Sequence, residues 1–124
     1  MITVLTVDDE EGVRLNLVAY LEDEGYDMIE AESGERGLAL LEERPARVAL
    51  VDMRMGGMDG NAFIVEAHRR WPAMRFIVFT GSAGYEPPPE VRAAGVSARE
   101  LFIKPLDDMG VLAAAVARLA GEGV

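Results

Sequence analysis

Cysteine is absent from the 124-residue chain, and so are long apolar runs. Without cysteine there is no disulfide framework, no zinc–thiolate site and no thiol nucleophile, which is compatible with a reducing, cytoplasmic location. No apolar run approaches the roughly 20 residues that cross a bilayer, and the N-terminus lacks the charged start and apolar stretch of a signal peptide. The sequence therefore predicts no membrane segment.

Positive charge is also scarce: 12 lysines and arginines stand against 22 aspartates and glutamates, for a formal net charge of −10. Such a balance argues against direct binding to nucleic acid or anionic lipid, and most of it is explained by solubility. Half of the residues are hydrophobic, which is enough for a core in a chain the size of one domain. We expect one domain over residues 1–120 and a flexible tail or linker stub over 121–124.

Short β-branched apolar runs alternate with helical patterns along the whole chain. Ser33 and Asp59 are suited to be helix N-caps, and Pro45 and Pro72 end the helices before them. The alternation predicts βαβ units, hence an α/β fold with a parallel sheet covered on both faces. The predicted strands are 2–7, 27–31, 48–51, 76–79 and 101–103, and the predicted helices are 11–24, 33–44, 59–71, 90–94 and one starting near 107 or 108.

Polar side chains follow four of the five predicted strands. The acids of VDDEEG, residues 7–12, come directly after the first strand, and Asp52, Thr80 and Lys104 follow or end the third, fourth and fifth. Ligands of open α/β sheets bind outside the carboxyl ends of the strands. Crowded carboxylates raise one another's pKa unless water, a counter-charge or a hard cation compensates. The pattern predicts a reactive site at one edge of the sheet.

Taken in order, these residues resemble a response-regulator receiver domain, the phosphoacceptor part of bacterial two-component signalling. The resemblance covers essentially the whole chain and implies a doubly wound, flavodoxin-like sheet of order 2-1-3-4-5. The stretches that carry it are Asp8-Asp9, Asp52 in VDMRMGGMDG, Thr80-Gly81 and Lys104-Pro105.

The resemblance implies that Asp52 is the nucleophile that becomes an acyl phosphate. Mg²⁺ is the implied cofactor, with Asp9, Asp52 and the Arg54 carbonyl as ligands and Asp8 reaching the ion through water. These are oxygen donors, which a hard cation prefers.

Lys104 and Thr80 complete the implied site. The amine of Lys104 is a point charge for one phosphoryl oxygen, and the Thr80 hydroxyl can hydrogen-bond another. Phosphoryl transfer depends mostly on positioning and charge stabilisation, so no general acid is required. The implied role is a signalling domain that assists its own phosphorylation and dephosphorylation, and not an enzyme.

The implied partners are a histidine kinase or phosphotransfer protein, which supplies the phosphoryl group, and an output domain or downstream protein. An alternative is a degenerate receiver that acts as a phosphorylation-independent protein-interaction module. A metal-dependent phosphatase is disfavoured because no separate water-activating base is evident. Neither nucleic acid nor membrane is an expected partner of this domain.

Departures from the family fall near the signalling face. The loop after Asp52 reads Met55-Gly56-Gly57 where a proline is usual, and glycine makes that loop more flexible. Leu101 occupies the position of the usual switch aromatic, and Phe102 is expected on the opposite face of the strand. Three prolines in residues 81–90 predict a long loop and a short fourth helix.

Two further expectations concern the site itself. Arg54 is long enough to pair with a phosphoryl group and shield it from water, which predicts slow self-hydrolysis. The Lys104–Pro105 peptide bond is expected to be cis.

Overall fold

Strands and helices alternate through residues 1–122, the part of the chain that the computed structural model describes. Their bounds lie within a few residues of those predicted. In chain order they are β1 (Thr3–Val7), α1 (Glu11–Asp23), β2 (Asp27–Ala31), α2 (Gly34–Glu43), β3 (Val48–Val51), α3 (Gly60–Arg70), β4 (Arg75–Thr80), α4 (Pro89–Ala93), β5 (Leu101–Ile103) and α5 (Met109–Glu122).

The five strands form one parallel sheet in the order β2-β1-β3-β4-β5. This is the predicted flavodoxin-like order, and it confirms the α/β class. All carboxyl ends lie at the same edge, because every neighbouring pair is parallel. Within the described residues no helix combines the length and apolarity needed to cross a bilayer.

Two apolar clusters cover the two faces of the sheet. Leu5 and Val7 of β1 pack with α2, α3 and α4, whereas Val4 packs with α1 and α5. Successive residues of a strand point to opposite faces, so a strand buried on both sides is apolar throughout. The same alternation places Leu101 on the first face and Phe102 on the second, as expected.

Polar caps fix where two of the helices begin. The Ser33 hydroxyl accepts a hydrogen bond from the backbone N–H of Arg36 at 3.1 Å, and the Asp59 carboxylate accepts one from Ala62 at 2.8 Å. Both caps were predicted, and each satisfies an N–H that the first helical turn leaves without a partner. The Asp59 cap also ends the loop that follows Asp52.

The fourth helix is short, as the prolines predicted, but it begins one residue earlier, at Pro89. Proline fits the first turn of a helix because its missing N–H has no intrahelical acceptor there. Helix α5 begins at Met109 and continues to Glu122, two residues into the segment predicted as a tail. Residues 123–124 lie outside the described part, and the tail remains a prediction for them. The Lys104–Pro105 bond is cis, as expected.

Candidate functional site

Four predicted site residues meet at the carboxyl edge of the sheet, which we call the rim: Asp8, Asp52, Thr80 and Lys104. Backbone hydrogen bonds carry the strand pairing into it. The N–H of Asp52 donates to the Val7 carbonyl at 3.0 Å, and that of Lys104 donates to the Thr80 carbonyl at 2.8 Å. The positions of the side chains at the rim are therefore set by the same ladder that holds the sheet together.

The Lys104 amine is the centre of the rim. Its Nζ lies 2.8 Å from a carboxylate oxygen of Asp8, 3.3 Å from one of Glu10 and 3.6 Å from one of Asp52. The Asp8 and Asp52 side chains are 2% and 4% exposed. Within residues 1–122, Lys104 is thus the one cation paired with two buried carboxylates and a third at the surface.

The charge imbalance is visible in the pKa of Asp52. Burial raises the pKa of the Asp52 carboxyl above its ordinary value, and the charge of Asp8 raises it further. Lys104 and a hydrogen bond from the Met53 backbone act in the opposite direction but are outweighed. The nucleophile candidate is thus a carboxylate for which the protein alone provides incomplete compensation.

Lys104 responds in the complementary way. Burial acts to lower the pKa of its amine, but the hydrogen bond to Asp8 and the charges of Asp8, Asp52 and Glu10 raise it above the ordinary value. The ammonium form is therefore the stable one at neutral pH. A fixed positive charge beside Asp52 is what an incoming anionic group requires.

Oxygen donors for a cation converge at the rim. Asp8, Glu10 and Asp52 each offer a carboxylate oxygen, and these atoms lie within 4.8 Å of one another. Mg²⁺ binds oxygen ligands and usually retains several waters, so a partly exposed set of carboxylates suits it. Three carboxylates against one ammonium leave two negative charges, which a divalent ion would neutralise. The donor set thus fits the predicted magnesium ion.

The other predicted site residues are placed differently. Asp9 is exposed and lies outside the three-carboxylate cluster, although its charge contributes to the raised pKa of Asp52. Arg54 is exposed on the loop after β3. Thr80 is fully buried, and its hydroxyl accepts a hydrogen bond from the Ser82 backbone at 3.3 Å.

Two site residues were missed by the sequence reasoning. Glu10 stands in the same acidic run as Asp8, and only its side-chain direction brings it to Lys104. Arg14 of α1 donates a hydrogen bond to the Asp8 carbonyl at 2.8 Å and pairs with Glu30 of β2 at 2.8 Å. This arginine braces the backbone that carries Asp8. Its position one turn into α1 was the only sequence signal.

The loop after Asp52 turns back tightly onto the strand. Gly60 donates its backbone N–H to the Met53 carbonyl at 3.1 Å, and a Cβ on Gly60 would lie 2.3 Å from the Asp52 carbonyl oxygen. No side chain fits at so short a distance, which is why glycine stands at this position. The close approach fixes α3 against the end of β3.

The long segment after β4 is attached to α3 by a tyrosine. The Tyr85 hydroxyl donates to the Asn61 side-chain oxygen at 2.6 Å, and the half-buried ring packs against the core on the same face as Leu101. Burial raises the pKa of the Tyr85 phenol, and the charge of Asp59 adds to the effect. The segment is thereby held over the first turn of α3.

An open cavity of about 690 Å³ adjoins the rim between α1 and the segment that follows β5. Lys104 and Glu10 stand at its polar side, and the remainder is mostly apolar. The apolar lining consists of Val13, Leu17, Phe79, Pro105, Leu106 and Met109.

Comparison with known proteins agrees with this fold. The family model described as "Response regulator receiver domain" matches residues 4–117. The transcriptional regulatory protein GlrR of Escherichia coli K12 is 33% identical over 104 residues, which are 84% of this chain and 23% of GlrR. The chain spans about a quarter of the length of such curated relatives.

Solved structures show the same fold. The chemotaxis protein CheY4 of Vibrio cholerae superposes with a TM-score of 0.85 at 25% identity, covering 96% of this chain and 98% of that one. The response regulator TrrA of Thermotoga maritima, solved in complex with Mg²⁺-BeF, gives 0.84 at 25% identity, covering 96% and 99%.

Proposed function

Because the chain belongs to the response regulator receiver domain family of two-component systems, we propose that it is a working phosphoacceptor whose nucleophile is Asp52. The phosphoryl group comes from a phosphohistidine of a partner kinase or phosphotransfer protein. One observation carries the proposal: the Lys104 amine lies 2.8 Å from a carboxylate oxygen of Asp8 and 3.6 Å from one of Asp52, at the carboxyl edge of the parallel sheet.

In the proposed reaction an oxygen of the Asp52 carboxylate forms a bond to phosphorus while the phosphorus–nitrogen bond of the phosphohistidine breaks. The imidazole nitrogen keeps the bonding electron pair, and the product is an acyl phosphate. Two anions must approach each other, so the reaction depends on positive charge at the rim. Asp8, Asp52 and Glu10 would hold Mg²⁺ at the rim, and the bound ion would supply the larger part of that charge.

Neighbouring residues orient the phosphoryl group. Lys104 exchanges part of its contact with Asp8 and Asp52 for a phosphoryl oxygen, and the Thr80 hydroxyl donates to a second one. Asp9 and the Arg54 carbonyl remain the proposed further ligands of the ion. Glu10 joins them, because its carboxylate lies in the cluster.

The proposed partners use different surfaces. The cavity beside Lys104 admits an apolar side chain of the phosphoryl donor, which would bring a phosphohistidine to the rim. The output partner, an attached domain or a separate protein, reads the face formed by α4 and β5. A small free-energy difference between inactive and active shapes is then biased by the new charge.

The alternative, a phosphorylation-independent interaction module, is favoured by the five-residue α4 and by the leucine at position 101. One experiment separates the two functions. The protein is incubated with acetyl phosphate and Mg²⁺, and intact mass is recorded for wild type, Asp52→Asn and the control Asp23→Asn, an exposed aspartate at the end of α1.

The expected result is one added phosphoryl group in wild type and in Asp23→Asn, none in Asp52→Asn, and none in any sample with excess EDTA. An unmodified wild type would favour the interaction module. A modified Asp52→Asn would show that the acceptor is another residue.

Arg54 is the proposed determinant of phosphoryl lifetime. Replacing it with alanine removes the charge that can pair with the phosphoryl group, so loss of the added mass should become faster. An unchanged decay rate in Arg54→Ala would contradict this role.

A further inference from the structure

The segment between β3 and α3, residues 53–59, is the Asp52 loop. Its first residue, Met53, is buried directly after Asp52. Its middle is exposed, and a Cβ on Gly56 would meet nothing within 4 Å. Met55 packs against the core next to the exposed Arg54, whereas Gly56 and Gly57 have no side chain to pack. The glycine pair is therefore the part of the loop that receives least support from the core.

The far end of the loop is held from another helix. The Glu35 carboxylate, in the first turn of α2, accepts a hydrogen bond from the Met58 backbone N–H at 3.1 Å. Gly57 has a φ of +73°, and a Cβ there would lie 2.7 Å from the same carboxylate oxygen. The carboxylate thus lies directly against the Gly57–Met58 backbone.

A second contact brings the same two segments together. A Cβ on Gly34 would lie 3.0 Å from the Met58 sulfur, so the start of α2 and the end of the loop are in close contact. Two adjacent glycines lose more conformational freedom on ordering than other residues do. The Glu35 carboxylate holds Met58, the residue that follows Gly56 and Gly57, and so offsets part of this loss of conformational entropy.

We infer that Glu35 is a positioning residue that fixes the Asp52 loop and, through it, the backbone oxygen and N–H groups that surround the metal site. The inference rests on the proposed function, since it assigns the Arg54 carbonyl to Mg²⁺. Glu35 acts through the loop, because its hydrogen bond is to Met58 and not to the rim.

Glu35→Ala, Glu35→Gln and the control Glu43→Ala test the inference. Glu43 is an exposed glutamate at the other end of α2. Two quantities are measured: the exchange rate of the Met58 amide without metal, and the dissociation constant for Mg²⁺ by calorimetry. Thermal unfolding checks that each variant is folded.

Glu35→Ala should accelerate exchange at Met58 and weaken Mg²⁺ binding by about fivefold, the value of one hydrogen bond of about 1 kcal/mol. Glu35→Gln keeps an acceptor oxygen and should restore both quantities. A role limited to the helix dipole predicts the contrary, because glutamine lacks the charge. Glu43→Ala should match wild type.

Gly57→Ala supplies a second line of evidence. The methyl group displaces the Glu35 carboxylate, so Gly57→Ala should also weaken Mg²⁺ binding, and adding Glu35→Ala should then cost less than it does alone. Strictly additive effects would overturn the inference.

The possible failures are distinguishable. A wild type that neither binds Mg²⁺ nor gains a phosphoryl group contradicts the proposed function. A wild type that does both, with Glu35→Ala unchanged in Mg²⁺ affinity, overturns the role of Glu35 alone, whatever the exchange rate at Met58.

Discussion

Two carboxylates of this protein are almost equally buried, yet their pKa values are displaced in opposite directions. Glu100, just before β5, is 3% exposed, and Asp52 at the rim is 4% exposed. Burial opposes ionisation of Glu100, but hydrogen bonds from Ser97 and Arg118 outweigh it and lower its pKa. For Asp52, burial and the charge of Asp8 prevail, and its pKa is raised.

The difference lies in the partners. Glu100 accepts hydrogen bonds from the Ser97 N–H at 2.8 Å, the Ser97 hydroxyl at 2.7 Å and Arg118 at 2.6 Å. Asp52 shares a single lysine with Asp8 and Glu10. Burial therefore does not decide whether an acid is structural or reactive; compensation does. The incompletely compensated acid is the one that gains most from a metal ion.

The largest effect is expected from removing the compensated acid. Glu100→Ala should lower the free energy of unfolding by about 2 kcal/mol, because Ser97 and Arg118 lose an ionised acceptor. Urea unfolding measures the change, with the exposed Glu22→Ala as control. A loss below about 0.5 kcal/mol, typical of surface substitutions, would contradict the comparison.

The second-largest effect is expected from adding Mg²⁺, which should depend on Asp52 and not on Glu100. Mg²⁺ at ten times its dissociation constant should stabilise wild type by about 1.4 kcal/mol. Glu100→Ala should retain this gain, and Asp52→Asn should lose most of it. The measurement is thermal unfolding with and without Mg²⁺, reversed by EDTA. An equal gain in Asp52→Asn would place the ion elsewhere.

The pH dependence should be opposite for the two acids. In the folded state Asp52 holds its proton to higher pH than its ordinary value of 3.8, so its contribution to stability falls as pH rises from that value through its raised pKa. Asp52→Asn should remove this fall and be more stable than wild type at pH 7, because the buried like charge beside Asp8 is gone.

Glu100 has a lowered pKa, so its contribution is present above the ordinary value of 4.5 and is lost as pH falls through the folded-state pKa. Unfolding of both variants between pH 3 and 7 compares the two. Metal-free buffer is needed for Asp52. If the free energy of unfolding changed with pH in the same way for Asp52→Asn and wild type, the raised pKa of Asp52 would be refuted.

The smallest effect is expected at the surface of α3. Glu66 accepts hydrogen bonds from Arg69 and Arg70, which lower its pKa to about 2. Water and salt screen such exposed pairs, and the long side chains lose freedom in forming them. Glu66→Gln should leave the unfolding midpoint unchanged at physiological salt. A clear drop in the unfolding midpoint would mean that exposed ion pairs contribute to stability as much as buried ones do, contrary to the comparison.

The fold was predictable because the apolar runs that form β1, β3 and β4 end at polar residues, namely Asp8, Asp52 and Thr80, which mark where each strand stops. The opposite facing of Leu101 and Phe102 followed from the two-residue period of a strand. The meeting of Asp8, Asp52 and Lys104 followed from parallel pairing, which gathers the ends of distant segments at one edge.

Contacts that depend on side-chain reach were not predictable. Glu10 and Asp9 are neighbours in one acidic run, and only the folded backbone decides which of them turns toward Lys104. The hydrogen bond from Met58 to Glu35 joins residues 23 apart through the packing of α2 beside the loop. The Arg14 contact with the Asp8 carbonyl likewise arises from tertiary packing, which no local pattern encodes.

Lys104 and Asp8 are 96 residues apart in the chain, yet they are hydrogen-bonded. An unfolded molecule keeps these groups at random separations, so it offers an incoming anion no assembled charge. Only folded molecules would therefore accept a phosphoryl group. In a mixture of folded and denatured protein, the fraction labelled under saturating donor would serve as a chemical gauge of folding.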